Sequence, residues 1–430
     1  MGHIVNVDRE YQLLQKRLDR MVTGAPDSPI LQKILRMVFS EQDAQLARRI
    51  PTRPTPLPSV AQTLGMPVDE LDDRVRDMAG RGIVMDFERK EQRYVCLAPV
   101  VIGFFEFTFM RTREDLPMKE LSLLFDRYMK EDDRFARSVF QGQTQIGRSL
   151  VHEEALPEDH TEILDWEKAS WIVKSATAHG VSLCACRHKA SHLGHACDQP
   201  LDVCMTFNFA GETLIRNGLA RRISMEESMA LLVDCKEKGL AQTGDNVQRG
   251  VSYICNCCGC CCGMMDAIRT FDIRGAIVTS NWIAEIDSES CKGCGRCAKA
   301  CPVGILQIEE RDQAGGNPRK IAVRDEEICL GCGVCATTCP FEAMHMRSRP
   351  QRVYTPETAF DRIAAMAVER GKLAELIFED PEKLSHRALG RILGVLEKSP
   401  PVRVAMAIQP LKSVFLNALV SKARRASGEV

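Results

Sequence analysis

The chain has 430 residues, 45% of them hydrophobic and 27% charged, with a net charge of -1. That is an ordinary globular composition, long enough for two to four domains. It gives no global field to favour nucleic acid or an anionic membrane, and no stretch reaches the ~18 apolar residues of a membrane span. The cysteines are the exception: of 20, all but Cys96 fall between Cys184 and Cys339. The opening MGHIVNVDREYQLLQKRLDR has no apolar signal core. A cytoplasmic location is therefore expected, where clustered thiols stay reduced and serve as metal ligands rather than disulfides.

Residues 1–113 form the first expected domain. ILQKILRMVFSEQDAQLARRI has helical apolar spacing, TRPTPLP breaks the chain, and PSVAQTLG is a short helix ended by Gly65. In PVDELDDRVRDMAGRG, Val68, Leu71, Val75 and Met78 form one apolar face and Gly80 supplies the stop. IVMDFERKEQRYVCL reads as two strands around a charged turn. This order resembles a winged-helix domain, a family whose recognition helix, here 67–81, enters a groove of DNA. Here that helix carries Asp69, Glu70, Asp72, Asp73 and Asp77 against Arg74, Arg76 and Arg81. Its negative balance opposes phosphate contact, so a structural or partner-docking module is expected and DNA is not. LAPVVIGFFEFTFM (97–110) reads as a buried helix opening near Pro99.

Residues 114–280 are expected to form a helical, cysteine-rich module. CACRHKASHLGHACDQPLDVC contributes Cys184, Cys186, Cys197 and Cys204. SMEESMALLVDCKEKG is a helix with a Ser224/Glu227 capping box and a stop at Gly239. Cys235 inside it reads as a packed thiol, and so does Cys96 in the hairpin. CNCCGCCCG then places Cys255, Cys257, Cys258, Cys260, Cys261 and Cys262 within eight positions. Neighbouring cysteines cannot close an unstrained disulfide, and a core has no use for such a block, so metal chelation remains. Ten thiols exceed the four of one cubane, so one or two further iron–sulfur clusters are expected, with zinc as the rival. His188, His192 and His195 either replace a thiolate or, as the preferred reading, belong to a solvated basic loop.

CKGCGRCAKACP (291–302) and CLGCGVCATTCP (329–340) repeat one unit, C-x2-C-x2-C-x3-C-P. Residues 281–348 thereby resemble bacterial dicluster ferredoxins. The resemblance implies two [4Fe–4S] clusters, the fourth cysteine of each run serving the other cluster. Cys291, Cys294, Cys297 and Cys339 would hold one, and Cys329, Cys332, Cys335 and Cys301 the other. Zinc sites lack this run. WIAEID, ILQIEE, KIAVRD and AMHMRS read as strands, one pair per half, with RDQAGGNPRK as a long loop between halves. The arrangement as a whole is similar to ferredoxin-type iron–sulfur proteins of anaerobes, which join a helical N-terminal domain, a cysteine-rich module and a dicluster ferredoxin.

Residues 349–430 form a helical tail that turns basic beyond Glu397. PLKSVFLNALVSKARR aligns Leu411, Val414, Phe415, Ala418 and Leu419 on one face, suited to packing on its own protein, to a partner or to the inner face of a membrane. The expected fold is α+β and multidomain, mostly helical around the ferredoxin unit. The expected function is multi-cluster electron transfer with a partner oxidoreductase. The alternatives are a redox-sensing regulator acting through the winged-helix-like domain, or an oxidoreductase subunit with an open iron site. No G-x-G-x-x-G follows a strand and no Walker A run occurs, so no small-molecule substrate is identified.

Overall fold

The computed structural model describes residues 7–157, 163–311, 318–378 and 391. They divide into two compact units: the described residues of 1–105, 124–144 and 360–430 form one, and those of 106–123 and 145–359 the other. The basic helix expected beyond Glu397, with Leu411, Val414, Phe415, Ala418 and Leu419 on one face, lies outside the described residues. Among the described residues, no helix is long and apolar enough to cross a membrane.

In the first unit the long helical run expected over 30–50 is two helices, Pro29–Val38 and Glu41–Ala47. They divide because Ser40 takes an extended backbone and caps the second, exchanging hydrogen bonds with Asp43 in a capping box. β1 (Thr55–Pro56) precedes the helices Leu57–Leu64 and Val68–Gly80, and the hairpin β2 (Val84–Arg89) and β3 (Gln92–Leu97) follows. The antiparallel sheet order is β1-β3-β2. Gly65 stops its helix in the left-handed region at φ 66°. Gly80 is instead the last helical residue of Val68–Gly80, and Gly82, at φ 80°, makes the turn.

LAPVVIGFFEFTFM is buried over much of its length but is only partly helical. Val101 and Gly103 have extended backbones, and the regular helix is Phe105–Phe109. Within the first unit Phe104 packs edge-on to Phe39, with ring centroids 5.7 Å apart. Arg370 closes the unit by donating to the carbonyls of Val22 and Val139 at 2.7 and 2.8 Å.

The second unit departs most from expectation. Its cysteine-rich part is built on six antiparallel strands: β4 (Gly147–Leu150), β5 (His179–Leu183), β6 (Asp202–Phe207), β7 (Arg221–Arg222), β8 (Ala241–Asp245) and β9 (Tyr253–Cys257). Their order is β4-β8-β9-β6-β5-β7. Every residue of β4 and β8 is buried, so these strands lack the alternation that betrays a half-exposed sheet. Helices Ala169–Ser175 and Met225–Glu237 supply Ile172, Val173 and Leu232 to a core shared with Met205, Phe207 and Ile254. Cys235 is fully buried inside the second of these helices, and burial pushes its thiol up to about 12.

Four more strands frame the ferredoxin-like runs. β10 (Trp282–Ile286) pairs with β13 (Met344–Ser348), and β11 (Leu306–Arg311) with β12 (Arg319–Arg324), both antiparallel. Each two-stranded sheet therefore takes one strand from each half. The centre of the loop between halves, 312–317, lies outside the described residues.

Candidate metal centres

In each ferredoxin-like run a glycine in the left-handed region lets the backbone reverse into a short helix. Gly295 at φ 76° opens Arg296–Ala300, and Gly333 at φ 83° opens Val334–Thr337. These turns gather the cysteines around two cavities. Cys291, Cys294, Cys297 and Cys339 line the first, with Ile286, Ile308, Ala322 and Phe341. Cys301, Cys329, Cys332 and Cys335 line the second, with Val303, Ile305 and Met346. Each cavity thus draws three thiols from one run and one from the other.

The walls fit a cluster of iron and sulfide. They are mostly apolar, with Lys292 and Arg296 at the first, and the amides of Gly293 and Ala322 donate to Cys291 Sγ at 3.5 and 3.4 Å. Such bonds stabilise negative charge on sulfur. Burial pushes the Cys332 thiol up to about 12 and raises Cys297 and Cys335 as well. Ionising these thiols inside the protein therefore needs a cationic partner, which iron supplies.

The two cavities differ in surroundings. Cys294 is exposed and Phe341 is 44% exposed, so the first opens toward solvent. The second abuts the six-stranded sheet. The His152 amide, just beyond β4, donates to the Cys332 carbonyl at 2.9 Å, and a Cβ on Gly333 would meet that of Ala155 at 3.0 Å. Ser280 bonds Gly331 and Leu330 across the same seam.

The ten cysteines of the middle region meet at one end of the sheet, where β5 ends, β6 begins and β9 ends. They fall into two groups. Cys204, Cys255, Cys257, Cys262 and Cys186 neighbour one another in a chain of thiols, with Cys184 beside Cys186 and Cys204. Cys255 and Cys257 alternate on β9 and so share one face. Thr243 Oγ1 lies 3.2 Å from Cys257 Sγ. The neighbouring Cys255 and Cys262 thiols hold the Cys257 thiol below its ordinary value, against its burial. The other group is Cys197, Cys258, Cys260 and Cys261, whose sulfurs all lie within 4.8 Å of one another.

RHKASHLGH is helical through His192, and only 193–195 leave the helix, with His195 exposed. Ala185–His192 is a helix with Arg187, His188 and Lys189 buried. His188 Nδ1 bonds the Phe109 carbonyl at 2.8 Å, and its ring and that of His192 pack against each other and Phe109. The functional residue the sequence reading missed is Arg187. Its side chain hydrogen-bonds Cys258 and Cys197 and donates to the carbonyls of Pro200 and Asn256. A basic residue directly after a Cys-x-Cys pair was the available signal.

A family model described as a 4Fe-4S dicluster domain matches residues 290–343. The chain therefore carries a ferredoxin-type dicluster domain over that span. No curated protein and no solved structure matches the chain.

Proposed function

We propose that the protein is a multi-cluster iron–sulfur electron-transfer protein serving a partner oxidoreductase. Cys291, Cys294, Cys297 and Cys339 would hold one [4Fe–4S] cluster, and Cys301, Cys329, Cys332 and Cys335 a second. Cys184, Cys186, Cys204, Cys255, Cys257 and Cys262 would hold a further iron–sulfur cluster. When bound, these groups supply one-electron chemistry. The chain's own residues keep the thiols dry, direct amides at sulfur and fix the spacing between sites.

The carrying observation is continuity. Gly259 of the thiol block packs on Pro302, the residue after Cys301. Cys301 and Cys297 then cap and occupy one short helix, with the Cys301 amide bonded to the Cys297 carbonyl at 3.0 Å. The middle thiols, the inner cavity and the outer cavity are therefore consecutive sites, and the outer one ends at exposed Cys294 and Phe341. That order suits conduction to a docked protein better than turnover of a buried substrate.

In the first unit, the three-stranded sheet beside helix Val68–Gly80 supports a winged-helix-like reading, as a docking module. The test of the main reading is anaerobic: iron and acid-labile sulfide per chain, followed by a potentiometric titration. Two or more reversible one-electron couples, with acid-labile sulfide present for each, are expected. Protein lacking sulfide would refute the reading.

A further inference from the structure

The four sulfurs of Cys197, Cys258, Cys260 and Cys261 are too close for a cubane. Cys260 and Cys261 Sγ are 3.7 Å apart, Cys261 and Cys197 Sγ 4.0 Å, and all four lie within 4.8 Å. Four thiolates around one ion at ~2.3 Å place their sulfurs ~3.8 Å apart, from tetrahedral geometry alone. A cubane puts each thiolate on a different iron, at the corners of a larger box. The ferredoxin-like cysteines provide the internal comparison. They line two cavities, and among the described residues none of their groups closes to the same spacing.

We infer that Cys197, Cys258, Cys260 and Cys261 form a closed four-thiolate site for one thiophilic divalent ion, Zn²⁺ or Fe²⁺, separate from any iron–sulfur cluster. Local chemistry favours it. Cys258-Gly259-Cys260-Cys261 is a C-x2-C knuckle whose residues 259–261 form a turn, and Cys197 reaches it from the loop after helix Ala185–His192. Binding one divalent ion to four thiols releases their protons and leaves a doubly negative site. The buried Arg187 side chain, bonded to Cys258 and Cys197, offsets that charge. With four protein ligands the ion has no open position, so its role is structural. It ties the Cys197 loop to the turn whose Gly259 stands on Pro302, and so holds the module in register with the inner cavity.

The inference is independent of the electron-transfer reading. The test uses the full chain, purified anaerobically, with metals and acid-labile sulfide counted in wild type and in the double variant Cys197→Ser/Cys261→Ser. Wild type is expected to hold one metal ion more than its sulfide count, and the variant to lose that ion with sulfide unchanged. Loss of several irons together with an equal number of sulfides would overturn the inference in favour of a cluster, and so would no loss of metal. Should the double variant not accumulate, Cys260→Ser, at the exposed ligand, is read in the same way. Wild type grown with Co²⁺ gives a second readout. It should show the ligand-field and charge-transfer bands of a tetrahedral tetrathiolate, and their absence would overturn the site. Failure of electron transfer itself would appear as missing sulfide and leave the metal excess unaffected.

Discussion

Gly259 lies against Pro302 so closely that a Cβ on it would stand 2.5 Å from the Pro302 carbonyl oxygen and 2.9 Å from its Cα. Arg269 bonds the carbonyls of both residues, so the seam is held by backbone on each side. Gly259→Ala must push these backbones apart, at a cost of ~1–3 kcal/mol for overpacking. Gly263→Ala meets nothing within 4 Å and should be nearly neutral. Anaerobic thermal unfolding of the two variants should separate them by several degrees. Equal melting temperatures would mean the seam is loose.

The grouping of thiols in the two cavities predicts which cysteines share a cluster. Cys339→Ser and Cys291→Ser line one cavity and should perturb the same signal in electron paramagnetic resonance of reduced protein. Cys301→Ser should perturb the other, together with Cys332→Ser. If Cys301 and Cys291 report on one cluster, the crossed arrangement is wrong.

How far the sequence could be read depended on whether the information was local. The C-x2-C-x2-C-x3-C-P runs and their strand flanks are contiguous signals, so they were legible. Which strands pair was not, because β10 finds β13 from the opposite half. The middle sheet was hidden for another reason. β8 buries Gln242, Thr243 and Asp245 between other layers, so neither alternation nor an apolar run marks it. The basic stretch at 185–192 looked like a solvated loop because the partners of Arg187, at Pro200 and Asn256, are distant in the chain. That the ten middle cysteines gather in space was legible from their spacing. Their division into two groups depends on the turn at 259–261 and on the strand register, which only the fold supplies.

Gly331 and Gly304 both sit in the left-handed region, at φ 69° and 70°, but only one is enclosed. A Cβ on Gly331 would drive into the carbonyl group of Trp282, whereas one on Gly304 meets nothing within 4 Å. Gly304→Ala should therefore cost only the ~1–2 kcal/mol of the backbone conformation. Gly331→Ala adds a clash beside the inner cavity and should cost the protein about half its ferredoxin-type iron. Iron per chain for the two variants checks this, and full iron in Gly331→Ala would contradict the packing.

The arginines of helix Val68–Gly80 and its neighbours are largely committed within the protein. Arg76 pairs with Asp72, Arg81 with Asp43 and Asp77, and Arg93 with Asp72 and Asp86. Few cations remain there for phosphates, and the helix stays acidic. DNA affinity should therefore be weak, independent of sequence and abolished by moderate salt. A sequence-specific complex that persists at physiological salt would instead support the redox-sensor alternative.

Asp43 joins two jobs in one carboxylate. It completes the capping box of Glu41–Ala47 and receives Arg81 in a two-pronged contact at 2.9 Å on each oxygen. Burial alone would raise its pKa, but the hydrogen bonds from Arg81 and Ser40 outweigh burial and hold it below the usual carboxylate range. Its stabilisation is therefore fully present above the unfolded value and is lost as pH falls through the lower, folded one. Asp43→Asn keeps the shape but weakens the cap and leaves Arg81 half-paired. The expected cost near neutral pH is on the order of 2–3 kcal/mol, below the full value for a buried pair because Arg81 is partly exposed. Hydrogen-exchange protection of Glu41–Ala47, corrected for intrinsic rates, measures this directly. The gap between wild type and variant should be widest above about pH 4 and shrink below it as the wild-type carboxylate takes up its proton. A gap that does not change with pH would assign the loss to packing rather than to the charge on Asp43.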